Sequence, residues 1–229
     1  MGTLIVILLI VGAYVFYKKN SFNDSKWVKD RIKNRSAEQV AVIRYFCNDP
    51  SCLSKKPISD AEYDQMVADY LNSKDFRKLA LNKIGVDEDE VKEIEPIHFE
   101  GYKFGKNCFS KYCDDNKWRS SCYQVTWLFF SANQVYLYQN TFNMDEDGRK
   151  ESTEDYFYKD VTNFSTTSKT EETPVYDKKK DDVVLKNVDT DEFAITVPGD
   201  KLYCAIEPNE YTESSIKAMK AMLREKKNA

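Results

Sequence analysis

With 229 residues, a formal charge of -4, 41% hydrophobic and 31% charged residues, the chain describes one medium domain plus an appendage. That balance excludes a wholly disordered chain, a polytopic membrane protein and a strongly basic nucleic-acid binder. Only 7 glycines argue against glycine-rich phosphate loops, while 15 Tyr and 13 Phe, most of them after residue 95, favour sheet in the later part.

Residues 3–17 read TLIVILLIVGAYVFY and carry no charge. At about 1.5 Å per residue they cover roughly 23 Å, below the ~30 Å hydrocarbon core of a bilayer. Met1 and Gly2, snorkelling of Lys18 and Lys19, and bilayer thinning would close the gap. A cleavable signal peptide needs a basic start and a small-residue cleavage site, where this chain has Tyr14, Phe16 and Tyr17. Myristoylation would want Ser or Thr where Val6 stands. The expectation is a transmembrane anchor over 1–19. Lys18, Lys19, Lys26, Lys29, Arg31, Lys33 and Arg35 outweigh Asp24 and Asp30, which would hold the body on the cytoplasmic face of the cell membrane. That flank would also favour anionic lipid, and the acidic remainder would not grip nucleic acid.

Residues 20–95 read as a juxtamembrane helical region. Trp27, Val28, Ile32, Ala37, Val40, Ile43 and Phe46 recur at helical spacing over 25–46, and Asp49-Pro50-Ser51 breaks the run. Ser59 and Glu62 form a capping box for the next helix, and residues 74–84 make another that stops at Gly85. These short helices lack the basic cluster of a DNA-recognition surface.

After Pro96 the period changes to alternation. Residues 97–104 read as a strand, 123–131 and 134–142 as a hairpin across Ala132-Asn133, and Asp145-Glu146-Asp147-Gly148 as the next tight turn. Residues 150–158 pair back and 160–168 begin a second sheet. The polar stretch 169–182 reads as a long loop, 183–188 and 192–197 as two strands or one bulged strand, and 202–206 as another strand. Residues 212–227 close the chain as a helix with Ile216, Met219, Met222 and Leu223 on one face.

This order, seven antiparallel strands and a terminal helix over 96–229, resembles the pleckstrin-homology-like superfold in its bacterial and GRAM-like branch. YFYKDVTNFS (156–165) looks like its mid-domain strand–turn–strand. WRSSCYQVTWLFFS, NMDEDG, TVPGDKLYC and YTESSIKAMKAMLREKK are similar to an uncharacterised family of membrane-anchored bacterial proteins. The resemblance implies an α+β architecture: a transmembrane helix, a small helical region and a seven-stranded antiparallel barrel capped by the last helix. It implies no assigned activity, because the superfold hosts many roles.

Chemistry-bearing patterns are few. His98 is the only histidine and reads as a hydrogen-bonded edge or core residue. No nucleophile elbow, zincin, Walker or kinase motif occurs. The acid pairs Asp87/Asp89 and Asp145/Asp147 read as solvated turns. Cys47/Cys52 and Cys108/Cys113 stand in C-x4-C spacing, too loose for a zinc knuckle, and with Cys122 and Cys204 they read as reduced thiols. In an extracytoplasmic alternative the two C-x4-C pairs would be disulfides. The expectation is a non-catalytic adaptor without cofactor or metal that recognises a protein partner through strand edges or the groove beside the last helix. The alternative is a phospholipid-headgroup site at Lys111, Lys117 and Arg119, whose K-x5-K-x-R pattern resembles the basic motif of some pleckstrin-homology domains.

Overall fold

The computed structural model describes residues 2–47, 53–92 and 94–228, with side chains described over 5–227. The helices are α1 (Gly2–Asn20), α2 (Lys26–Arg31), α3 (Ala37–Cys47), α4 (Asp60–Asn72), α5 (Phe76–Ile84) and α6 (Glu210–Asn228), with a 3-10 turn at Glu88–Val91. The strands are β1 (Ile97–Lys103), β2 (Ser110–Tyr112), β3 (Trp118–Ser120), β4 (Cys122–Phe130), β5 (Gln134–Asn143), β6 (Arg149–Phe157), β7 (Asn163–Asp177), β8 (Asp182–Val197) and β9 (Asp200–Ala205). They form a four-stranded sheet in the order β1-β4-β5-β6, the ribbon β2-β3 and a three-stranded sheet in the order β7-β8-β9.

Within the four-stranded sheet β4 is buried on both faces, its alternate side chains pointing to opposite sides. Tyr123, Val125 and Phe129 join Val42, Ile43, Phe46, Tyr63 and Phe76 of the helical layer in one core. Leu128 and Phe130 face the other way and join Phe99, Phe164, Phe193 and Ile195 in a second core. Ile216, Met219, Met222 and Leu223, the apolar stripe of α6, complete that second core. The arrangement is α+β with three layers: helices, four-stranded sheet, and three-stranded sheet with α6.

Several expectations need correction. The sheets do not close, so the seven-stranded barrel gives way to three separate sheets. Among the described residues no helix is long and apolar enough to cross a membrane. α1 ends in Lys18, Lys19 and Asn20, and its uncharged part spans only about 23 Å. The anchor over 1–19 falls, and with it the single-pass topology and the placement of the body beneath a cell membrane. The apolar side chains of α1 are nonetheless exposed, from 44% at Val15 to 70% at Phe16.

Two cations of the basic flank expected to orient an anchor, Arg31 and Arg35, dock helices on the sheet. Arg31 reaches Asp145 at 3.3 Å, and Arg35 reaches Glu146 at 3.1 Å, both on the β5–β6 turn. Asp145 is buried rather than solvated, and Gln39 donates to Asp147 at 2.7 Å.

The helix foreseen over 25–46 is two helices. Asn34 takes a left-handed φ of 61° between them. Ser36 and Gln39 then exchange side-chain and backbone hydrogen bonds, a reciprocal cap that starts α3 afresh. The foreseen capping box of Ser59 and Glu62 starts α4, and Gly85, at φ 81°, ends α5 in the left-handed region. The foreseen break at Asp49-Pro50-Ser51 lies outside the described residues.

The stretch 169–182, expected as a loop, belongs to a long hairpin whose register runs from Asn163↔Thr196 to Asp177↔Asp182. A second small hairpin, β2-β3, lies between β1 and β4, in a stretch to which the sequence assigns no strand.

The cysteines also differ from expectation. Cys108 and Cys122 form a disulfide with Cα atoms 5.5 Å apart. That replaces both the all-reduced set and the Cys108/Cys113 pairing. Cys113 is a free thiol beside the Tyr45 hydroxyl, at 3.3 Å. Cys52 lies outside the described residues, and so does any pairing of Cys47 with it.

Candidate binding cleft

The headgroup candidates Lys111, Lys117 and Arg119 do not converge on an open phosphate site. Lys111 and Arg119 are cross-strand partners on the β2-β3 ribbon. Both turn toward α4, where Asp60 and Asp64 lie one helical turn apart. Lys111 sits 3.6 Å from Asp60 and over the Tyr45 ring at 4.3 Å. Arg119 is buried and makes forked bonds to Asp64, both at 2.7 Å, and to Asp115 at 3.0 and 2.8 Å. Two carboxylates satisfy one guanidinium, which pins the ribbon to α4 and leaves no donor fork for a phosphate. The same bonds hold the Asp115 carboxyl down at about 2. Of the three, Lys117 alone is exposed, and it has no ion pair among the described residues.

Other candidates resolve into structural roles. The His98 ring stacks on Trp127 with centroids 5.0 Å apart, and its Nδ1 lies 3.4 Å from the Tyr211 hydroxyl. Burial pushes the Cys47 and Cys113 thiols up and lifts Cys204 to about 12, so nucleophilic thiolate is suppressed at neutral pH. Asp87 caps the 3-10 turn. Among the described residues no cluster of His, Cys, Asp or Glu is placed to hold a metal ion.

What the fold does build is a cleft of about 640 Å³ beside Arg119, within the ~300–1,000 Å³ span of ligand sites. Its walls come from β1 (Glu100, Gly101, Tyr102), β3 (Trp118, Arg119), β8 (Asp189, Thr190, Asp191), the exit of β9 (Ile206, Glu207) and α4 (Val67, Leu71). Successive side chains of a strand point to opposite faces. When three consecutive residues of one strand line a single cleft, the cleft lies along the strand's edge. β1 and β8 both meet this condition.

The edge of β8 is open for a topological reason. β9 pairs with β8 only from Glu192↔Ala205 to Val197↔Asp200. Beyond Ala205 the chain turns away through Ile206. Its backbone passes so near β1 that a Cβ at Gly101 would lie 3.1 Å from the Ile206 carbonyl carbon. Glycine at that position permits the crossing. From residue 191 back to 182, β8 has a neighbour only on its β7 side.

The charges around the cleft are unbalanced. Glu100 and Glu207 have no ion pair among the described residues. Burial, the largest influence, and the nearby Glu207 raise the Glu100 carboxyl above its ordinary value, against the pull of His98. Burial, with the neighbouring Glu100 carboxylate, pushes the Tyr123 phenol up. Asp189 and Asp191 accept only hydroxyls, from Thr170 at 2.7 Å and from Ser168. Adjacent Glu192, turned to the other face and buried, meets Lys103 at 2.8 Å and Lys169 at 2.9 Å.

A second cavity of about 710 Å³ lies between α3, α4 and the β5–β6 turn. Of its acids, Glu146 meets Arg35 and Asp147 accepts from Gln39, while Glu38 and Asp69 accept from Ser36 and Gln65; the first two bonds tie the hollow to the docking of the helices.

No residue of the β1 and β8 walls is a candidate on sequence grounds. The alternation Asp189-Thr190-Asp191 is the available signal, and it falls in the gap between the strands expected at 183–188 and 192–197. No protein-family model matches the chain, and no curated protein or solved structure matches it. The pleckstrin-homology-like resemblance therefore has no matched relative to support it.

Proposed function

We propose that the protein is a non-catalytic recognition module that takes up an extended segment of a protein partner in the cleft bounded by β1, β3 and β8. One observation carries this reading: the edge of β8 from 182 to 191 loses its β9 neighbour where the cleft begins. An unpaired strand edge offers a row of N–H and C=O groups, and an added strand satisfies them while its side chains enter flanking pockets. Tyr102, Trp118 and Tyr123 supply amphipathic contact area suited to such pockets. A headgroup reading finds less support, since Arg119 is committed to two aspartates.

Selection of binders from a random linear nonapeptide library against the full chain tests the proposal, with hydrogen exchange of each complex as the readout. Bound peptides are expected to slow the amides of 182–191. A library without binders, or binders that leave those amides unchanged, would overturn it.

A further inference from the structure

We propose that the occupant of the cleft is a basic extended segment, whose Lys or Arg side chains alternate along a strand added to β8. This rests on the cleft being a protein-recognition site, and it adds what the partner must carry.

The β8 edge supplies the docking line, and the charge beside it selects the occupant. Asp64 and Arg119 neutralise each other by two short bonds. That leaves Glu100, Asp189, Asp191 and Glu207 around the cleft against the single cation of Lys117. None of the four acids has a cationic partner among the described residues, although the protein elsewhere gives cations to Asp24, Asp145 and Glu192. A partner with acidic side chains would face like charge at each end of the cleft, and a neutral one would leave Glu100 half-buried without a counter-charge.

Geometry matches the same occupant. Residues two apart on a strand share a face, so Asp189 and Asp191 present their carboxylates on one side of the edge. An added strand with a cation at every second position places successive charges at the same spacing. Glu100 and Glu207 line the same cleft from β1 and the exit of β9, and the Trp118 and Tyr102 rings, which also line it, offer faces for an alkyl stem or guanidinium plane.

Titration of the full chain with three capped nonapeptides tests this, each alternating Val with Lys, Ser or Glu. Hydrogen exchange is followed in each complex. The Lys peptide is expected to bind at least about ten-fold more tightly than the Ser peptide, to protect amides within 182–191, and to weaken as salt rises. Glu100→Gln with Glu207→Gln should weaken the Lys peptide about ten-fold. Glu213→Gln with Glu225→Gln, on exposed positions of α6, should leave it unchanged. Ser or Glu peptides that bind equally well and protect 182–191 would overturn the basic occupant and leave the recognition site standing. Lys-peptide binding that ignores the Glu100/Glu207 pair, or follows the α6 pair equally, would also overturn it, as would failure of all three peptides to protect 182–191. That last failure would remove the recognition reading as well.

Discussion

Asp145 and Glu100 are both carboxylates whose burial raises them above the ordinary range, yet their surroundings differ. Asp145, at the β5–β6 turn, faces Arg31, and its neighbours Glu146 and Asp147 face Arg35 and Gln39. Glu100, at the cleft, faces Tyr123 and the like charge of Glu207. The turn is an internal interface in which opposite charges fix how helices lie on a sheet. The cleft has the acids of such an interface, but Glu100, Asp189, Asp191 and Glu207 have no ion pair among the described residues. Within one chain, the first condition describes folding completed, and the second is the condition that the proposed partner would complete.

The largest expected effect comes from breaking the finished interface. Arg31→Met keeps an alkyl stem over the Phe109 ring, which the guanidinium now covers at 5.0 Å. It leaves Asp145 buried without its cation, and urea unfolding should show a loss of about 2–4 kcal/mol.

Arg119→Met sits between the two regions, since Arg119 lines the cleft while serving the fold. Its partners Asp64 and Asp115 are 44% and 42% exposed, which limits the loss to about 1–2 kcal/mol. The pH dependence follows from Asp115, lowered from 3.8 to about 2 in the folded chain. Its contribution is present in full above the unfolded value and fades as pH falls from about 3.8 through about 2. In Arg119→Met the acid limb of stability across that window should flatten, as followed by circular dichroism.

Glu100→Gln should give the smallest effect, with opposite sign. A carboxyl whose folded value is raised costs stability once it is charged, and the cost fades as pH falls. Removing the charge should stabilise the free protein by about 0.5–1 kcal/mol at neutral pH and by less in acid. A destabilised variant would mean that Glu100 already has a partner within the fold.

How much of this could be read from the sequence depended on how locally each feature is encoded. The Ser59/Glu62 box, the stop at Gly85 and the apolar stripe of α6 lie within a few residues of one another and were legible. The split of α2 from α3 was equally local, in Ser36 and Gln39, but the apolar spacing across it masked the cap. The β7–β8 hairpin escapes a sequence reading because the middle of β7, residues 165–172, alternates between exposed and half-buried Ser, Thr, Lys and Glu, without the apolar partner that marks a half-buried strand. The cleft was not legible at all. Its lining runs from Asp64 to Pro208, and the openness of its edge depends on where β9 stops pairing.

Amide hydrogen exchange along β8 in the free, full-length protein tests the central claim most directly. The account predicts slow exchange throughout 192–197, where β7 and β9 flank the strand, and alternating fast and slow amides over 183–191, where only β7 does. Uniform protection from 183 to 197 would contradict it, because the edge assigned to a partner would already be covered.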